Sequence, residues 1–553
     1  MENQNQLFHL KNSLPADVIK HQTSFYTVAL EAWRRGMRVK YFNSKRGGRV
    51  PSTSITYSLS DGVNEYHFVC ARGTKTTKEA ISKAENKGSA YKHMRAQGLP
   101  VPESRTFNYN ESSIGEMCTY GESIGYPLVI KPTDRGGGRG VVTHINSKDM
   151  LKDSLIKVKN DFKPKEIIIE KYFEGGVDYR FYVIQDKVIA VSKSYSSNVI
   201  GNGRSNMKEL IKKRNIEINN NVSTKQRDIK IDQEMKEFLN ENNMTLDYIP
   251  EEGERVFVRK HGTHLGDRLS VDCTDSIDPK FKKYAVDALN SVPGLPTGSI
   301  DMIINEEKNE GIVNEINTKG EIMMHVFPFE GQPVDIPKHL IDFYFPGSKK
   351  INDNFYFEYK HVKDLFLSGH ADEITIPMFP KGTQYEKQIS IKGTHFGPNY
   401  LKRLKKKAAN LQLKGYISAS SKESVEIEAI GNKDTLNSFE EFIRGSSRNR
   451  TKVHNVSASE MDIFDGVSSI GFEINDDSLN KIKKKDNDKE KIIKKENEDL
   501  SKEILNMKNS YSKKLKNREK RIQELMEELD RVKSSNSWKL TKPLRNIKGK
   551  IEK

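Results

Sequence analysis

Cysteine and long apolar runs are both scarce in this chain of 553 residues. The three cysteines, Cys70, Cys118 and Cys273, stand far apart with no C-x-x-C pair, so the sequence suggests neither a disulfide framework nor a zinc site. No run of about 18 apolar residues occurs, and the N-terminus lacks a basic region followed by an apolar one. We therefore expect a cytoplasmic chain that is neither exported nor membrane-spanning.

Positive charge is abundant but unevenly placed. The formal net charge is +16, and residues 481–553 alone hold 24 Lys/Arg against 13 Asp/Glu. The rest of the chain then has a charge balance that is ordinary for an enzyme. Nucleic-acid binding is disfavoured, because the basic tail offers only Tyr511 and Trp538 for stacking on bases.

The length predicts about three or four folding units rather than one core. Pro100 and Pro102 follow a predicted helix over 79–97, and Pro346-Gly347 follows the last of several β-branched runs, so we place boundaries near both. The predicted segments are an α/β N-terminal domain (1–102), a mixed α+β domain (103–346), a linker (347–384), a ferredoxin-like βαββαβ domain (385–475), a coiled coil (476–535) and a basic amphipathic tail (536–553).

The predicted coiled coil rests on residues at 493–532 that recur in steps of four and three with one stutter. Asn497 and Arg518 fall in its seam and limit register and stability. It predicts a homo-oligomer. In the tail, apolar residues such as Trp538 and Leu544 among lysines suit a membrane surface at the inner face or an envelope-assembly partner. The tail also resembles a short segment of bacterial cell-surface polysaccharide enzymes.

Chemistry is first suggested by Lys131, which follows the apolar strand 126–130 and precedes the loop Arg135-Gly136-Gly137-Gly138-Arg139-Gly140. A lysine beside a glycine loop suits polyphosphate, because backbone N–H groups approach oxygens closely while the ammonium neutralises charge. No G-K-[ST] follows, so this is not a Walker A motif. By itself the loop is equally compatible with a surface hairpin.

Acidic and amide residues then interrupt two predicted apolar strands. Asp301 lies in the strand 299–303, and Glu315 and Asn317 lie in the strand 311–317. Buried carboxylates are costly unless a cation compensates them. Three oxygen ligands of this kind suit Mg²⁺ held together with phosphate oxygens.

The order of these features resembles the ATP-grasp superfamily, in which two α+β subdomains grip ATP. The features that match, in chain order, are Lys87, Lys131, the glycine loop, Glu170-Lys171-Tyr172-Phe173, Asp301, and Glu315 with Asn317. Residues 199–211 and 313–346 further resemble cyanophycin synthetase and its bifunctional glutathione synthetase relatives. The resemblance covers about residues 80–346.

The resemblance implies a role for each matching residue. Lys87 and Lys131 would contact ATP phosphates under the glycine loop, while Glu170 and the Lys171–Phe173 backbone would hold adenine. Asp178 would hold the ribose, but its spacing from Glu170 is one residue longer than expected, so Glu174 remains a rival. Asp301, Glu315 and Asn317 would hold two Mg²⁺ ions. Together with Lys131, the implied catalytic residues are Arg180, Arg259 and Arg268.

The function that follows from the resemblance is an ADP-forming carboxylate-amine or carboxylate-thiol ligase, using ATP and Mg²⁺ on small-molecule or polymer substrates. Two departures bear on the substrate: no Mur-ligase-like region is visible after 350, and 260–268 replaces the usual Asn-x-Ser-x-Gly-Gly loop. The alternatives are a nucleotide-binding scaffold in cell-surface polysaccharide assembly and an acylphosphatase.

The region after 385 resembles acylphosphatase through Gly393, Gly397, Gly415-Tyr416 and the strand 425–431. Counting from Gly415 places Leu401 at the catalytic arginine and Ala419 at the catalytic asparagine of that family. Without the phosphate-binding arginine, acylphosphates should not be hydrolysed efficiently. We therefore expect a degenerate domain that binds or packs.

Overall fold

A computed structural model describes residues 6–16, 18, 21–45, 53–259, 268–475 and 487–534. The predicted tail 536–553 lies outside the described residues, as does all of the predicted substituted loop except Arg268. In the described part of the chain, no helix is both long and apolar enough to cross a membrane.

The elements of the first half follow a 3₁₀ turn at Phe8–Leu10. They are α1 His21–Arg34, β1 Arg38–Lys45, β2 Thr53–Ser60, β3 Glu65–Val69, β4 Arg72–Gly73, α2 Lys78–Glu85, α3 Lys87–Ala96, β5 Ser104–Asn108, α4 Ile114–Ile124, β6 Leu128–Pro132, β7 Val142–Ile145, α5 Lys148–Phe162, β8 Glu166–Lys171, β9 Val177–Ile184, β10 Lys187–Tyr195, β11 Asn198–Ile200, α6 Met207–Asn220 and α7 Gln233–Glu241.

The elements of the second half complete the mixed α+β region and add the C-terminal domain. They are β12 Arg255–Phe257, β13 Leu269–Asp272, α8 Pro279–Asn290, β14 Thr297–Asn305, β15 Glu310–Asn317, α9 Met323–Val326, α10 Ile336–Tyr344, β16 Phe355–Tyr356, α11 Tyr359–Leu367, β17 Glu373–Thr375, β18 Tyr385–Thr394, α12 Pro398–Asn410, β19 Lys414–Ala419, β20 Ser424–Gly431, α13 Lys433–Arg444, β21 Lys452–Ala458, β22 Asp462–Ile463, β23 Ser468–Ser469, β24 Phe472–Ile474 and α14 Asn487–Ser534.

The N-terminal sheet has the strand order β17-β1-β2-β3-β4. The predicted α/β character is present, since α1 buries a nearly continuous apolar surface against this sheet. The stretch 347–384, predicted as a linker, contains β16, α11 and β17 and shares this core. Its Phe357 ring lies 5.0 Å from Tyr26, and its Phe379 ring lies 4.8 Å from Trp33.

The helix predicted over 79–97 is interrupted at Asn86. The side chain of Asn86 accepts a hydrogen bond from the Ser89 backbone N–H at 2.9 Å, which caps α3 and ends α2. Lys87 is therefore the first residue of a new helix, and α2 and α3 pack into the same core as β9 and β14.

The mixed α+β region contains two separate sheets. One has the strand order β5-β8-β6-β7, and the other has the order β13-β10-β9-β14-β15. Helices α4 and α5 cover the first sheet, and α8 covers the second. A small unit of β11, β12, α6 and α7 has its own core. Two α+β subdomains facing each other agree with the predicted ATP-grasp architecture.

The predicted ferredoxin-like domain is confirmed. The order β18-α12-β19-β20-α13-β21 is a βαββαβ unit, and its sheet runs β21-β18-β20-β19-β24. Both helices are buried against one face of the sheet. The predicted coiled coil corresponds to α14, a single 48-residue helix, and its association with another helix stays a prediction.

Candidate functional site

Lys87 stands at the N-terminus of α3 and points between the two sheets. Its Nζ donates to Glu315 Oε1 at 2.9 Å and to the Arg135 backbone oxygen at 3.0 Å. Lys87 is only 8% exposed, so its ammonium needs these partners. It joins the glycine loop of one sheet to a predicted metal ligand of the other.

Lys131 is the centre of a buried polar cluster. Strand β6 is wholly buried, with Leu128 and Ile130 in the core of the first sheet and Lys131 on the opposite face. Its Nζ lies 2.7 Å from Tyr91 Oη, 2.9 Å from Asn314 Oδ1 and 3.0 Å from Glu170 Oε1. Both lysines predicted to bind phosphate therefore contact β15: Lys87 through Glu315 and Lys131 through Asn314.

Tyr91 and Asn314 were not predicted as site residues. Tyr91 lies one turn after Lys87 on α3, and its hydroxyl bonds Glu170 at 3.2 Å; burial, and then Glu170, raise its pKa well above the ordinary value. Asn314 is the extra residue of a β-bulge, because Asp301 pairs with Glu315 while Met302 pairs with Val313. Tyr91 lies four residues after Lys87 and so on the same face of the helix, which is a sequence signal that it belongs to the site. The bulge that places Asn314 has no corresponding signal in the sequence.

The glycine loop leaves β6 toward solvent. Gly137, Gly138 and Gly140 all have positive φ angles (66°, 71° and 77°), which other residues rarely adopt. Gly136, Gly137 and Gly138 are exposed, and Arg135 donates to the Phe162 backbone oxygen at 3.0 Å. The loop is therefore anchored at Arg135 and open at its tip, as a phosphate-covering loop requires.

The predicted adenine segment is Glu170–Phe173 at the end of β8. The carboxylate of Glu170 is turned to Lys131, and Lys171 donates to the Tyr126 backbone oxygen at 2.7 Å. The Tyr172 ring lies 4.3 Å from His144. Asp178, predicted for ribose, is paired with Arg268 at 2.6 Å, while the Glu174 backbone oxygen accepts from Asn305 at 3.2 Å.

The three predicted metal ligands converge on one face of the second sheet. Asp301 of β14 is the direct partner of Glu315 in β15, and Asn317 donates to Asp301 Oδ2 at 2.8 Å. Among the described residues, no group of three or more His, Cys, Asp or Glu side chains is arranged to hold a metal ion. The predicted set is two carboxylates and one amide, whose hard oxygens fit Mg²⁺.

Each of these carboxylates has a cation beside it. Arg180 of β9 forms a bidentate ion pair with the Asp301 carboxylate, with hydrogen bonds of 2.6 and 2.7 Å. Lys87 forms an ion pair with Glu315. Burial alone would lower the pKa of Arg180, but the Asp301 carboxylate raises it above the ordinary value. Arg180 and Lys87 thus compensate the charge of the two carboxylates, and a Mg²⁺ ion would compete with them for these oxygens.

The predicted arginines are not all in one place. Arg180 lies beside the predicted metal ligands, and Arg268 pairs with Asp178. Arg259 instead pairs with Asp232 at 2.6 Å and Glu234 at 3.3 Å, at the N-terminus of α7. The structure places Arg259 in the small β11–β12 unit, and its catalytic role stays a prediction.

The two acylphosphatase positions are apolar and buried. Leu401 of α12 is 0% exposed and Ala419 at the end of β19 is 1% exposed, both within the domain core. The nearby Arg403 bonds the Ser446 backbone oxygen and so holds α12 to the end of α13. That the domain is catalytically degenerate stays a prediction.

Comparison with known families matches two parts of the chain. Residues 86–200 match the family described as carbamoyl-phosphate synthase L chain, ATP binding domain. Residues 387–474 match the acylphosphatase family. The first match spans Lys87, Lys131, the glycine loop and Glu170, and the second spans the ferredoxin-like domain.

Curated relatives match about half of the chain. The cyanophycin synthetase of Geminocystis herdmanii is 27% identical over 307 residues, 54% of this chain and 34% of that protein. The glutathione biosynthesis bifunctional protein of Clostridium perfringens is 28% identical over 302 residues, 52% of this chain and 37% of that protein. This chain spans about a third of the length of the curated relatives it matches.

A similar solved structure is the bifunctional glutathione synthetase from Pasteurella multocida, with a TM-score of 0.42 and 23% identity over 53% of this chain and 40% of that one. The predicted resemblance is confirmed by the curated sequence matches. The chain carries an ATP-grasp ligase module homologous to those of cyanophycin synthetase and the glutathione biosynthesis proteins, followed by an acylphosphatase-family domain.

Proposed function

We propose that the chain is an ATP- and Mg²⁺-dependent, ADP-forming ligase that activates a carboxylate as an acylphosphate and joins it to an amine. The observation that carries the proposal is the convergence of Lys131 of the first sheet and Lys87 of α3 on β15: Lys131 bonds Asn314, and Lys87 pairs with Glu315, the strand partner of Asp301. Two buried lysines beside a pair of carboxylates suit a nucleotide with its metal. The homologous synthetases support the same reaction class.

The lysines would bind the phosphates. Both are less than a tenth exposed, so they would act in a site of low dielectric where their charge is poorly screened. Their present carboxylate partners keep them oriented, which lowers the reorganisation needed when phosphate arrives. The glycine loop, with its exposed tip, would close over the phosphates and exclude water that hydrolyses an acylphosphate.

Asp301, Glu315 and Asn317 would hold Mg²⁺, with two ions proposed. The metal supplies charge neutralisation at the transferring phosphoryl group. Arg180 would contact the substrate carboxylate or the developing charge, since it lies beside Asp301 with about a quarter of its side chain exposed. Glu170 and the Lys171–Phe173 backbone would hold adenine, and Asp178 the ribose.

The substrates are proposed only as classes. An amino acid, a peptide or a cell-envelope polymer would supply the carboxylate and the amine, and a thiol acceptor is the variant of the same chemistry. We place the reaction in the cytoplasm, with the tail 536–553 as a contact to the membrane surface or an envelope-assembly partner. The acylphosphatase-like domain would bind or pack rather than hydrolyse.

The test is Mg²⁺-dependent release of ADP and phosphate from purified protein across a panel of amino acids, short peptides and amino sugars. We expect release only with a particular carboxylate and amine pair. Lys131→Ala should abolish release, because it removes the phosphate contact and leaves Glu170 without its cation. Lys157→Ala, on the exposed face of α5, is the matched control and should keep full activity.

Two outcomes would count against the ligase. A Lys131→Ala protein that turns ATP over at the wild-type rate would remove the role proposed for this lysine. Tight ATP binding without release for any pair would favour the nucleotide-binding scaffold.

A further inference from the structure

The hydroxyl of Tyr91 lies between the two charges of the Lys131–Glu170 ion pair. It accepts a hydrogen bond from Lys131 Nζ at 2.7 Å, and its own O–H points either to Glu170 Oε2 at 3.2 Å or to the Asn314 backbone oxygen at 3.0 Å. Glu170 Oε1 lies 3.0 Å from Lys131 Nζ. Among the described residues, Lys131 and Tyr91 are the side chains that bond the Glu170 carboxylate. The neutral hydroxyl therefore bonds both members of the ion pair.

The ammonium of Lys131 has no hydrogen-bonding capacity left over. Its three N–H groups match three acceptors, which are Tyr91 Oη at 2.7 Å, Asn314 Oδ1 at 2.9 Å and Glu170 Oε1 at 3.0 Å. An ammonium has three donors and no acceptor. A phosphate oxygen can therefore bind this ammonium only by replacing one of the three acceptors.

The charges of the three acceptors decide which of them leaves. A phosphate that replaced the neutral Tyr91 or Asn314 group would lie beside the Glu170 carboxylate, and two negative charges repel each other strongly where screening is poor. If phosphate replaces Glu170, one anion takes the place of another and the ammonium stays compensated. The displaced carboxylate, on a residue only 5% exposed, then keeps the Tyr91 hydroxyl as its partner. A buried charge left without any partner would be costly.

We propose that Tyr91 is a positioning residue of the nucleotide site, whose hydroxyl lets Lys131 exchange Glu170 for a phosphate oxygen. This rests on the proposed ligase function, in which Lys131 binds phosphate. By accepting from the ammonium, the hydroxyl holds Lys131 in place, and by donating to the carboxylate it keeps Glu170 bonded after the exchange. Burial, and then Glu170, raise the pKa of Tyr91 well above its ordinary value, so the hydroxyl retains the proton that it donates.

The test is a double-mutant cycle on the full chain. Isothermal titration calorimetry measures the dissociation constant of the Mg²⁺ complex of a non-hydrolysable ATP analogue for the wild type, Tyr91→Phe, Lys131→Met and the double variant. We expect Tyr91→Phe to weaken binding about tenfold, because it removes a hydrogen bond to a charged group and keeps the ring. Because Tyr91 acts through Lys131, the double variant should bind within about twofold of Lys131→Met alone.

Tyr109→Phe is the matched control. Tyr109 is 7% exposed, and its hydroxyl donates to the Leu155 backbone oxygen at 3.0 Å within the core of the first sheet. Each phenylalanine variant removes one buried, hydrogen-bonded hydroxyl, so thermal unfolding should show a lower melting temperature for both. Only Tyr91→Phe should also weaken binding of the analogue. This comparison does not require the Lys131 variant, so it decides the question even if Lys131→Met fails to fold.

Binding of the analogue by Tyr91→Phe at the wild-type affinity overturns the proposal and leaves the nucleotide site standing. Equal losses of affinity in Tyr91→Phe and Tyr109→Phe, or fully additive losses in the double variant, also overturn it, because each would mean that Tyr91 only stabilises the fold. A wild-type protein that binds no analogue would instead remove the proposed function.

Discussion

Lys131 and Glu170 show what a single buried charge demands of its surroundings. Both side chains are about 5% exposed, and the ammonium is also bonded to Tyr91 and Asn314. Removing one partner from such a pair costs about 3–5 kcal/mol, because the other charge is left buried and uncompensated. An apolar pair would have been at least as stable, so these polar residues are better explained by a ligand than by folding.

His325 allows a prediction at the residue scale. Its pKa falls from the ordinary 6.5 to about 3 in the folded chain. Below pH 6.5 the unfolded chain takes up a proton that the folded chain does not, so this contribution to stability is complete above pH 6.5 and is lost as the pH falls toward 3. At about 1.36 kcal/mol per pKa unit, the loss is on the order of 5 kcal/mol.

Urea unfolding at pH 7 and pH 4.5 measures this contribution. The wild-type midpoint should fall more between the two pH values than the midpoint of His325→Leu. His361→Leu removes an exposed histidine and should behave as the wild type does. Equal pH dependence in wild type and His325→Leu would show that the imidazole is not held neutral.

At the scale of single elements, two irregularities place the site. The break at Asn86 makes Lys87 the first residue of α3, where its ammonium reaches Glu315. The bulge in β15 brings Asn314 to Lys131 while Glu315 stays opposite Asp301. Without the break in the helix and the bulge in the strand pair, at least one of these side chains would point away from the candidate site. Irregular positions of this kind are frequent near functional sites.

Helix α14 carries the prediction at the element scale. Its apolar residues are exposed in a single chain, with Tyr511 at 70%, Leu515 at 61% and Ile522 at 56%. A helix of this length with such a stripe should bury it against a second copy. Sedimentation should show that the full chain is oligomeric and that deleting residues 480–553 makes it monomeric.

The deletion of residues 536–553 alone separates the helix from the tail. That shorter deletion should leave the oligomer intact. If deleting 480–553 leaves the sedimentation behaviour unchanged, α14 does not associate.

At the scale of the whole molecule, distant segments share one core. Residues 353–379 pack on α1 and β1: the Arg34 side chain donates to the Phe355 backbone oxygen at 2.9 Å, and Trp33 donates to that of Pro377 at 2.7 Å. β17 extends the N-terminal sheet by pairing with β1. In the sequence, the whole mixed α+β region lies between the N-terminal and C-terminal parts of this core.

A fragment ending at residue 346 should therefore be poorly folded, whereas one ending at 384 should fold. The shorter fragment loses Phe357, Tyr359, Phe366 and Phe379, each buried to within about 2%. Each such side chain stabilises by about 1.5–3 kcal/mol when buried. Cooperative thermal unfolding of the shorter fragment at the temperature of the longer one would contradict this.

Much of the candidate site could be predicted from local sequence patterns. The glycine loop, the lysine after an apolar strand and the acid-bearing strands are short motifs, and their chemistry does not depend on distant residues. The βαββαβ unit was equally readable, because each of its elements has a clear period and a turn at its end.

The sequence by itself determined the domain types and indicated the residues proposed to bind phosphate and metal, because those properties belong to side chains and to short periodic segments. Only the tertiary structure decided that 347–384 completes the N-terminal core and that Asn314 and Tyr91 join Lys131. These depend on which strands pair and where a ladder bulges, which are set by contacts between residues far apart in the chain.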